Sequence, residues 1–130
     1  MLWDREAAIA QIAGLYATIG SKTYEDGERE RRLALATQAY DRAKNPDGGT
    51  RQVTAAMIAP DRRKSLQELT LPALVIHGAE DPLIKIAGGE ATHAALAGST
   101  YLPLDAMGHD LPAPLLGQIA ASIAENAARA

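Results

Sequence analysis

Two short apolar runs in the second half of the chain, each followed at once by a polar loop, constrain the fold most. Residues 73–76 form the first run, and Glu80 and Asp81 follow just past its end. Residues 101–104 form the second run, and His109 follows it. Buried parallel strands have such sequences, and open α/β sheets place their functional groups at the carboxyl ends of their strands. The sequence therefore predicts an acid and a histidine at one edge of a parallel sheet.

The segments around these two runs have helical spacing of apolar residues and helix-capping signals. Asp4 is a candidate N-cap and Gly20 a candidate helix end, with residues 21–27 predicted as a loop. Residues 45–49 contain consecutive helix breakers and predict a turn. The predicted helices cover residues 3–19, 28–44, 52–59, 61–69 and 86–96, and a last one begins near Pro112.

This order predicts an α/β fold in which helices precede a strand–helix–strand–helix unit. The two strands, at about residues 72–77 and 100–104, should be parallel neighbours. We expect a single structural unit with a helical region at residues 1–59 and an α/β portion at residues 60–130. A two-stranded parallel sheet has open edges, so either another chain completes it or the first helices fold back to cover it.

Composition excludes several classes of function. The net charge of −3 argues against a dedicated surface for nucleic acid or anionic membranes. The densest basic cluster is formed by Arg29, Arg31 and Arg32. It is interleaved with Glu28 and Glu30 and predicts a solvated helix face. The absence of cysteine excludes disulfides and thiol chemistry. There is no leader-like N-terminus and no apolar run of bilayer length, so we expect a cytoplasmic protein without a membrane partner.

The acid and the histidine make chemical sense as a pair. A carboxylate can select the imidazole tautomer and stabilise the imidazolium that forms when histidine acts as a general base. Asp81 precedes Pro82, which stiffens its turn, and Gly108 lets the backbone approach closely before His109. Each residue alone is more typical of an ordinary loop contact, but the two together favour a catalytic pair.

A nucleophile is not evident. Ser21 lies in a predicted loop, Ser65 in a capped helix, and Ser99 with Thr100 at the amino end of a strand, so surface or capping roles are expected. The remaining histidines also favour structural roles, His77 as a hydrogen-bonded strand end and His93 as a solvent-facing helix residue.

Other ligand signals are weak. The spacing of histidines and carboxylates fits no defensible metal site, and no motif indicates a cofactor. Trp3, Tyr16 and Tyr40 could line an apolar pocket, but core or dimer packing is the default expectation.

Two motifs resemble those of a known family. Residues 77–84 (HGAEDPLI) and 107–112 (MGHDLP) resemble the acid and histidine loops of the α/β-hydrolase superfamily, especially its bacterial esterase-like members. The resemblance implies that Asp81 and His109 are catalytic, in the chain order nucleophile, acid, histidine. It also implies that the helices up to about residue 44 belong to a cap over the substrate. The Gly-x-Ser-x-Gly elbow and the strands before it are absent, so the resemblance is to the cap and C-terminal half of such an enzyme.

Three hypotheses follow from the resemblance and from the absence of the nucleophile elbow. The first is a hydrolase fragment for small-molecule carboxylic esters, inactive alone and completed by an N-terminal half or assembled as a homodimer. The second is a self-contained minimal esterase that uses an unrecognised serine or a histidine-activated water. The third is a non-enzymatic module for ligand binding or assembly.

Overall fold

The computed structural model describes residues 4–43 and 48–129. Trp3, Lys44 and residues 45–47 of the predicted turn lie outside the described residues. Within those ranges the elements, in chain order, are α1 (Arg5–Ile19), α2 (Glu25–Arg42), α3 (Gly48–Ile58), α4 (Arg63–Gln67), β1 (Leu74–Gly78), α5 (Ile86–Ala95), β2 (Thr100–Leu104), a short 3₁₀ turn (Ala113–Leu115) and α6 (Leu116–Ala127).

The sheet confirms the predicted α/β class. Strands β1 and β2 are parallel neighbours, with Leu74 opposite Thr100 and Gly78 opposite Leu104. The second strand has the predicted bounds, whereas β1 covers Leu74–Gly78 instead of residues 72–77. Helix α5 connects the two strands, as the predicted strand–helix–strand unit requires.

The two outer edges of this sheet differ chemically. Ala73 O accepts a bond from Thr100 N and Ala79 N donates to Leu104 O, so the odd-numbered residues of β1 pair with β2. Successive residues of a strand point their N–H and C=O groups to opposite sides. The backbone groups of Leu74 and Ile76 therefore point away from β2, toward the free edge of the sheet. On the far side of β2 the outward-facing residues are Tyr101 and Pro103, and Pro103 has no N–H to donate. The hydrogen-bonded ladder can therefore be extended at β1, whereas Pro103 interrupts it at β2.

The N-terminal helices begin and end where capping chemistry predicts, with one exception. The Asp4 carboxylate accepts a bond from Glu6 N (3.2 Å), and Gly20 closes α1 by donating to Tyr16 O. Helix α2 begins at Glu25, three residues before the predicted Glu28, which leaves a short connection between the two helices. This connection lies against the loops that follow both strands.

The predicted solvated face of α2 is wrong at two positions. Glu28 and Arg32 are only 2% and 4% exposed. Both side chains bond to the loop that follows β2, Glu28 to Ala113 N and Arg32 to Asp110. A local sequence pattern cannot reveal this burial, because the polar partners lie about eighty residues away in the chain.

The core is small and lies where β2 meets α6. Leu104, Met107 and Ile119 are its buried centre, with Ile76, Leu102 and Leu115 packed around them.

Close packing also requires a glycine at one position in α5. A Cβ on Gly89 would lie 2.7 Å from the His77 side chain, so helix and strand approach closer than any larger residue permits.

Helix α3 departs from prediction. Its predicted inward side includes Val53 and Met57, yet no residue of α3 is buried and Met57 is 82% exposed. None of the described helices is both long and apolar enough to cross a membrane.

Candidate active site

The loop after β1 presents one oxygen of a buried carboxylate. Asp81 Oδ1 accepts bonds from Leu83 N (2.8 Å) and Ile84 N (2.9 Å), which is the Asx turn that an aspartate before proline favours. With Oδ1 held by these two amides, Oδ2 faces the loop that follows β2.

The loop after β2 brings His109 to this oxygen. His109 Nδ1 lies 2.8 Å from Asp81 Oδ2, although the two residues are 28 positions apart. An ionised carboxylate only accepts hydrogen bonds, so the proton is on Nδ1 and Nε2 has its lone pair free. The His109 side chain is 41% exposed, and no hydrogen bond among the described residues uses Nε2. A substrate hydroxyl or a water could therefore reach the basic nitrogen.

The environment of Asp81 favours its charged form. Burial by itself raises the pKa of Asp81, but hydrogen bonds from Ile84 N, from His109 and from Leu83 N outweigh it, and the pKa is lowered overall. Asp81 is therefore ionised at neutral pH and can stabilise a positive charge on the neighbouring imidazole.

His77 lies beside the acid–histidine pair, but a ring nitrogen of His77 is already hydrogen-bonded to a backbone carbonyl. Its Nε2 donates to Ile84 O (2.9 Å) and is 3.9 Å from Asp81 Oδ2. Because a carbonyl accepts, Nε2 must carry the proton, which leaves His77 as a hydrogen-bonded strand-end residue.

An open cleft of about 290 Å³ surrounds the pair. Its walls are formed by Ile76, His77, Gly78, Asp81, Ile84, Met107, Gly108, His109, Asp110 and Leu111. The cleft thus combines apolar walls with one exposed base, which suits a small, mostly apolar substrate.

The connection between α1 and α2 holds both loops, a role that the sequence did not indicate. The Glu80 carboxylate accepts bonds from Lys22 N (2.8 Å) and from the backbone and hydroxyl of Thr23. The Thr23 hydroxyl, with both backbone amides, lowers the pKa of Glu80. Ser21 binds Asp110 and Gly108 of the histidine loop.

The expected surface role of Ser21 is wrong. Ser21 is fully buried, and its hydroxyl bonds to Asp110 and Gly108 instead of to His109. The only sequence signal was indirect: a small polar residue directly after a helix-ending glycine.

The other candidate hydroxyls make different contacts or are exposed. Ser99 Oγ lies 2.7 Å from His93 Nδ1, at the amino end of β2. His93 stacks on Tyr101 with ring centroids 5.2 Å apart, so it is half-buried and not solvent-facing as predicted. Ser65 is exposed on α4. Among the described residues, no Ser or Thr hydroxyl forms a hydrogen bond with His109 Nε2.

The described ranges 4–43 and 48–129 bring together no group of three or more metal-ligating His, Asp or Glu side chains. The arrangement is thus an isolated acid–histidine pair supported by a polar network. Such a pair can remove a proton from a hydroxyl or a water and return it to a leaving group.

Comparison with known proteins identifies the fold. The chain has the architecture of part of an α/β hydrolase: it superimposes on the crystal structure of the enol-lactonase from Burkholderia xenovorans LB400 with a TM-score of 0.71 and 22% identity. The alignment covers 95% of this chain and 46% of the enol-lactonase, so this chain spans about half the length of that enzyme. This confirms, at the level of fold, the resemblance drawn from the two loops. No protein-family profile and no curated protein sequence matches the chain.

Proposed function

We propose that this chain supplies the acid and the general base of a hydrolase acting on small-molecule carboxylic esters, with the nucleophile contributed by a further polypeptide segment. The observation that carries the proposal is the 2.8 Å contact between His109 Nδ1 and Asp81 Oδ2, with Nε2 free in an apolar cleft. Residues 1–59 are then the cap-like region and residues 60–130 the core portion. The lack of cysteine is consistent with work in the cytoplasm.

The proposed steps of ester hydrolysis follow from the free Nε2 of His109. His109 Nε2 takes the proton of a hydroxyl as the hydroxyl oxygen bonds to the ester carbonyl carbon, and Asp81 stabilises the imidazolium that results. The imidazolium then protonates the leaving alkoxide as the bond between the carbonyl carbon and that oxygen breaks. A water, deprotonated by the same nitrogen, then attacks the acyl carbon of the acyl-enzyme. The bond from this carbon to the nucleophile oxygen breaks, the imidazolium returns the proton to that oxygen, and the carboxylic acid leaves.

Two features support completion by another segment. The backbone groups of Leu74 and Ile76 face a free sheet edge, while Pro103 interrupts the opposite edge. Leu83, Ile84 and Leu111, at the mouths of the two loops, are each about half exposed. A second copy of this chain would bring the same serines, so a segment of different sequence fits better than a homodimer.

The structural neighbour suggests a substrate class. That protein is described as an enol-lactonase, and a lactone is a cyclic ester that opens by the same attack on a carbonyl carbon. We therefore include lactones among the candidate substrates.

The proposal is tested by esterase activity of the chain alone and of the chain mixed with a nucleophile-bearing N-terminal half. We expect turnover of p-nitrophenyl butyrate only by the pair, and loss of at least about 10³-fold in kcat on His109→Ala. His93→Ala is the matched control, since His93 lies at the opposite end of β2. A pair without turnover, or turnover that survives His109→Ala, contradicts the proposal.

The exposure of His109 supports a second candidate. Because its Nε2 is free and the side chain 41% exposed, His109 could activate a water directly. In that case the chain alone hydrolyses the ester, His109→Ala abolishes turnover, and a serine-directed phosphonate does not inhibit.

A further inference from the structure

The backbone of the histidine loop is held by contacts from a distant part of the chain. His109 N donates to Ile19 O (2.8 Å) at the end of α1, and Gly108 N donates to Ser21 Oγ (2.9 Å). Asp110 accepts from both the backbone and the hydroxyl of Ser21. Three consecutive residues of the loop, with His109 at their centre, therefore bond to residues 19–21.

Arg32 also belongs to this hydrogen-bond network. Its Nη2 lies 3.1 Å from Asp110 Oδ2 and 3.0 Å from Ser21 O, so a single nitrogen bridges the loop and the α1–α2 connection. The Arg32 side chain is almost fully buried and that of Asp110 largely so. Removing one charge from such a pair leaves the other buried without compensation.

The two backbones are also in steric contact. A Cβ on Gly108 would lie 2.4 Å from Gly20 C, and one on Gly20 would lie 2.6 Å from both Asp110 Oδ2 and Tyr16 O. Neither position can accept even alanine without a shift. The approach of the two segments is thus determined by glycines as well as by hydrogen bonds.

The same connection reaches the acid loop, because Glu80, the neighbour of Asp81, binds Lys22 and Thr23. We propose that Ser21, Arg32 and Asp110 form a positioning cluster that orients the His109 imidazole toward Asp81 and couples helix α2 to the acid–histidine pair. The proposal rests on the proposed function only for the role of His109, since the geometry that it predicts can be measured without catalysis.

The test is ¹⁵N-detected NMR of the imidazoles in the full chain, which has three histidines. At alkaline pH we expect His109 to show the Nδ1–H tautomer with a protected Nδ1 proton. Asp110→Asn replaces a carboxylate oxygen with a donor that opposes Ser21 or Arg32, and Ser21→Ala removes the hydroxyl. In either variant we expect Nδ1 proton exchange of His109 to be faster by about tenfold, the size of effect that losing one hydrogen bond produces.

Three further variants separate positioning from a general charge effect. Arg32→Gln should act like Asp110→Asn, and Arg32→Lys, which keeps the charge, should retain more of the native signature. Arg29→Gln changes the same charge on the exposed side of α2 and should leave His109 unchanged. In the completed enzyme, Ser21→Ala should lower kcat by about 10- to 100-fold with KM unchanged, as expected for a displaced base.

These outcomes test the positioning cluster separately from the proposed function. Folded Ser21→Ala and Asp110→Asn variants with a native His109 signature overturn the positioning cluster, whether or not the completed enzyme turns over. Unfolding of both variants, measured by circular dichroism, assigns the cluster to stability alone and also overturns it. A perturbed signature combined with an inactive completed enzyme retains the cluster and rejects the proposed function.

Discussion

At the scale of single residues, Asp81 shows how competing effects decide whether a buried carboxyl group is ionised. Burial opposes ionisation, yet two backbone amides and one imidazole donor reverse the outcome, so the pKa of Asp81 is below its ordinary value. Its Asx turn and its pairing with His109 were both predictable from the local sequence. The role of Ser21, for which the local sequence gives only an indirect signal, was not.

The lowered pKa of Asp81 predicts how stability depends on pH. A carboxyl whose pKa is lower in the folded state stabilises the fold above its unfolded pKa, which is about 3.9 for aspartate. That contribution is lost as the pH falls through the folded-state pKa. We expect the free energy of unfolding, measured with urea between about pH 5 and pH 2, to fall less steeply in Asp81→Asn than in the native chain. Equal slopes would contradict the assignment.

Glu28 is a second residue with a measurable role. Its Oε1 accepts from Ala113 N (2.8 Å) and its Oε2 from Arg31 Nη1 (2.8 Å). Glu28→Ala removes both of these hydrogen bonds to a buried carboxylate and should cost about 1–3 kcal/mol in urea unfolding. Glu28→Gln keeps an acceptor and should cost less, while exposed Glu30→Ala should change stability by no more than about 0.5 kcal/mol. A Gln variant as unstable as the Ala variant would argue against the bond to Ala113.

At the scale of elements, caps and breakers predicted the ends of α1 but not the start of α3, which begins at Gly48 inside the predicted turn. The packing of the helices did not follow from these local signals. The glycines in α5 cost helix stability and counted against that helix in the sequence. The structure supplies the reason for Gly89, which lies against His77 where α5 crosses β1. In α3, by contrast, apolar spacing predicted an inward face that no described neighbour covers.

A pair of glycine substitutions tests this packing. Gly14 lies within α1, and a Cβ added there would meet no neighbouring atom within 4 Å, so Gly14→Ala should stabilise the chain by about 0.5–1 kcal/mol. Gly89→Ala gains the same helix propensity but forces its Cβ onto His77, and overpacking of this kind costs about 1–3 kcal/mol. Urea unfolding of both variants should therefore give shifts of opposite sign. Stabilisation by Gly89→Ala would show that α5 lies farther from β1.

At the scale of the whole molecule, the sheet has one edge that can pair and one that Pro103 interrupts. The parallel register makes this difference visible, because it assigns each backbone N–H of β1 to one side. The core at the junction of β2 and α6 is small, and the chain spans about half the length of the enol-lactonase on which it superimposes.

Amide hydrogen exchange tests the open edge. The N–H groups of Val75 and His77 point to β2 and should be protected, whereas those of Leu74 and Ile76 should exchange faster by about tenfold or more in the chain alone. Addition of a completing segment should slow exchange at Leu74 and Ile76 and leave Val75 and His77 unchanged. Equal protection of all four amides in the chain alone would contradict the register or the free edge.

The sequence by itself determined the parallel strand–helix–strand unit, the ends of α1, and the delivery of Asp81 and His109 to one edge of the sheet. These depend on local signals: strand-like apolar runs, capping residues, and a proline or glycine beside each functional side chain. Only the tertiary structure decided that Glu28 and Arg32 are buried, that Ser21 holds the histidine loop, and that α3 lacks a cover among the described residues. The first two outcomes depend on contacts between residues about 80 to 90 positions apart, and the burial of a charge is set by its partner and not by its own neighbours in the chain.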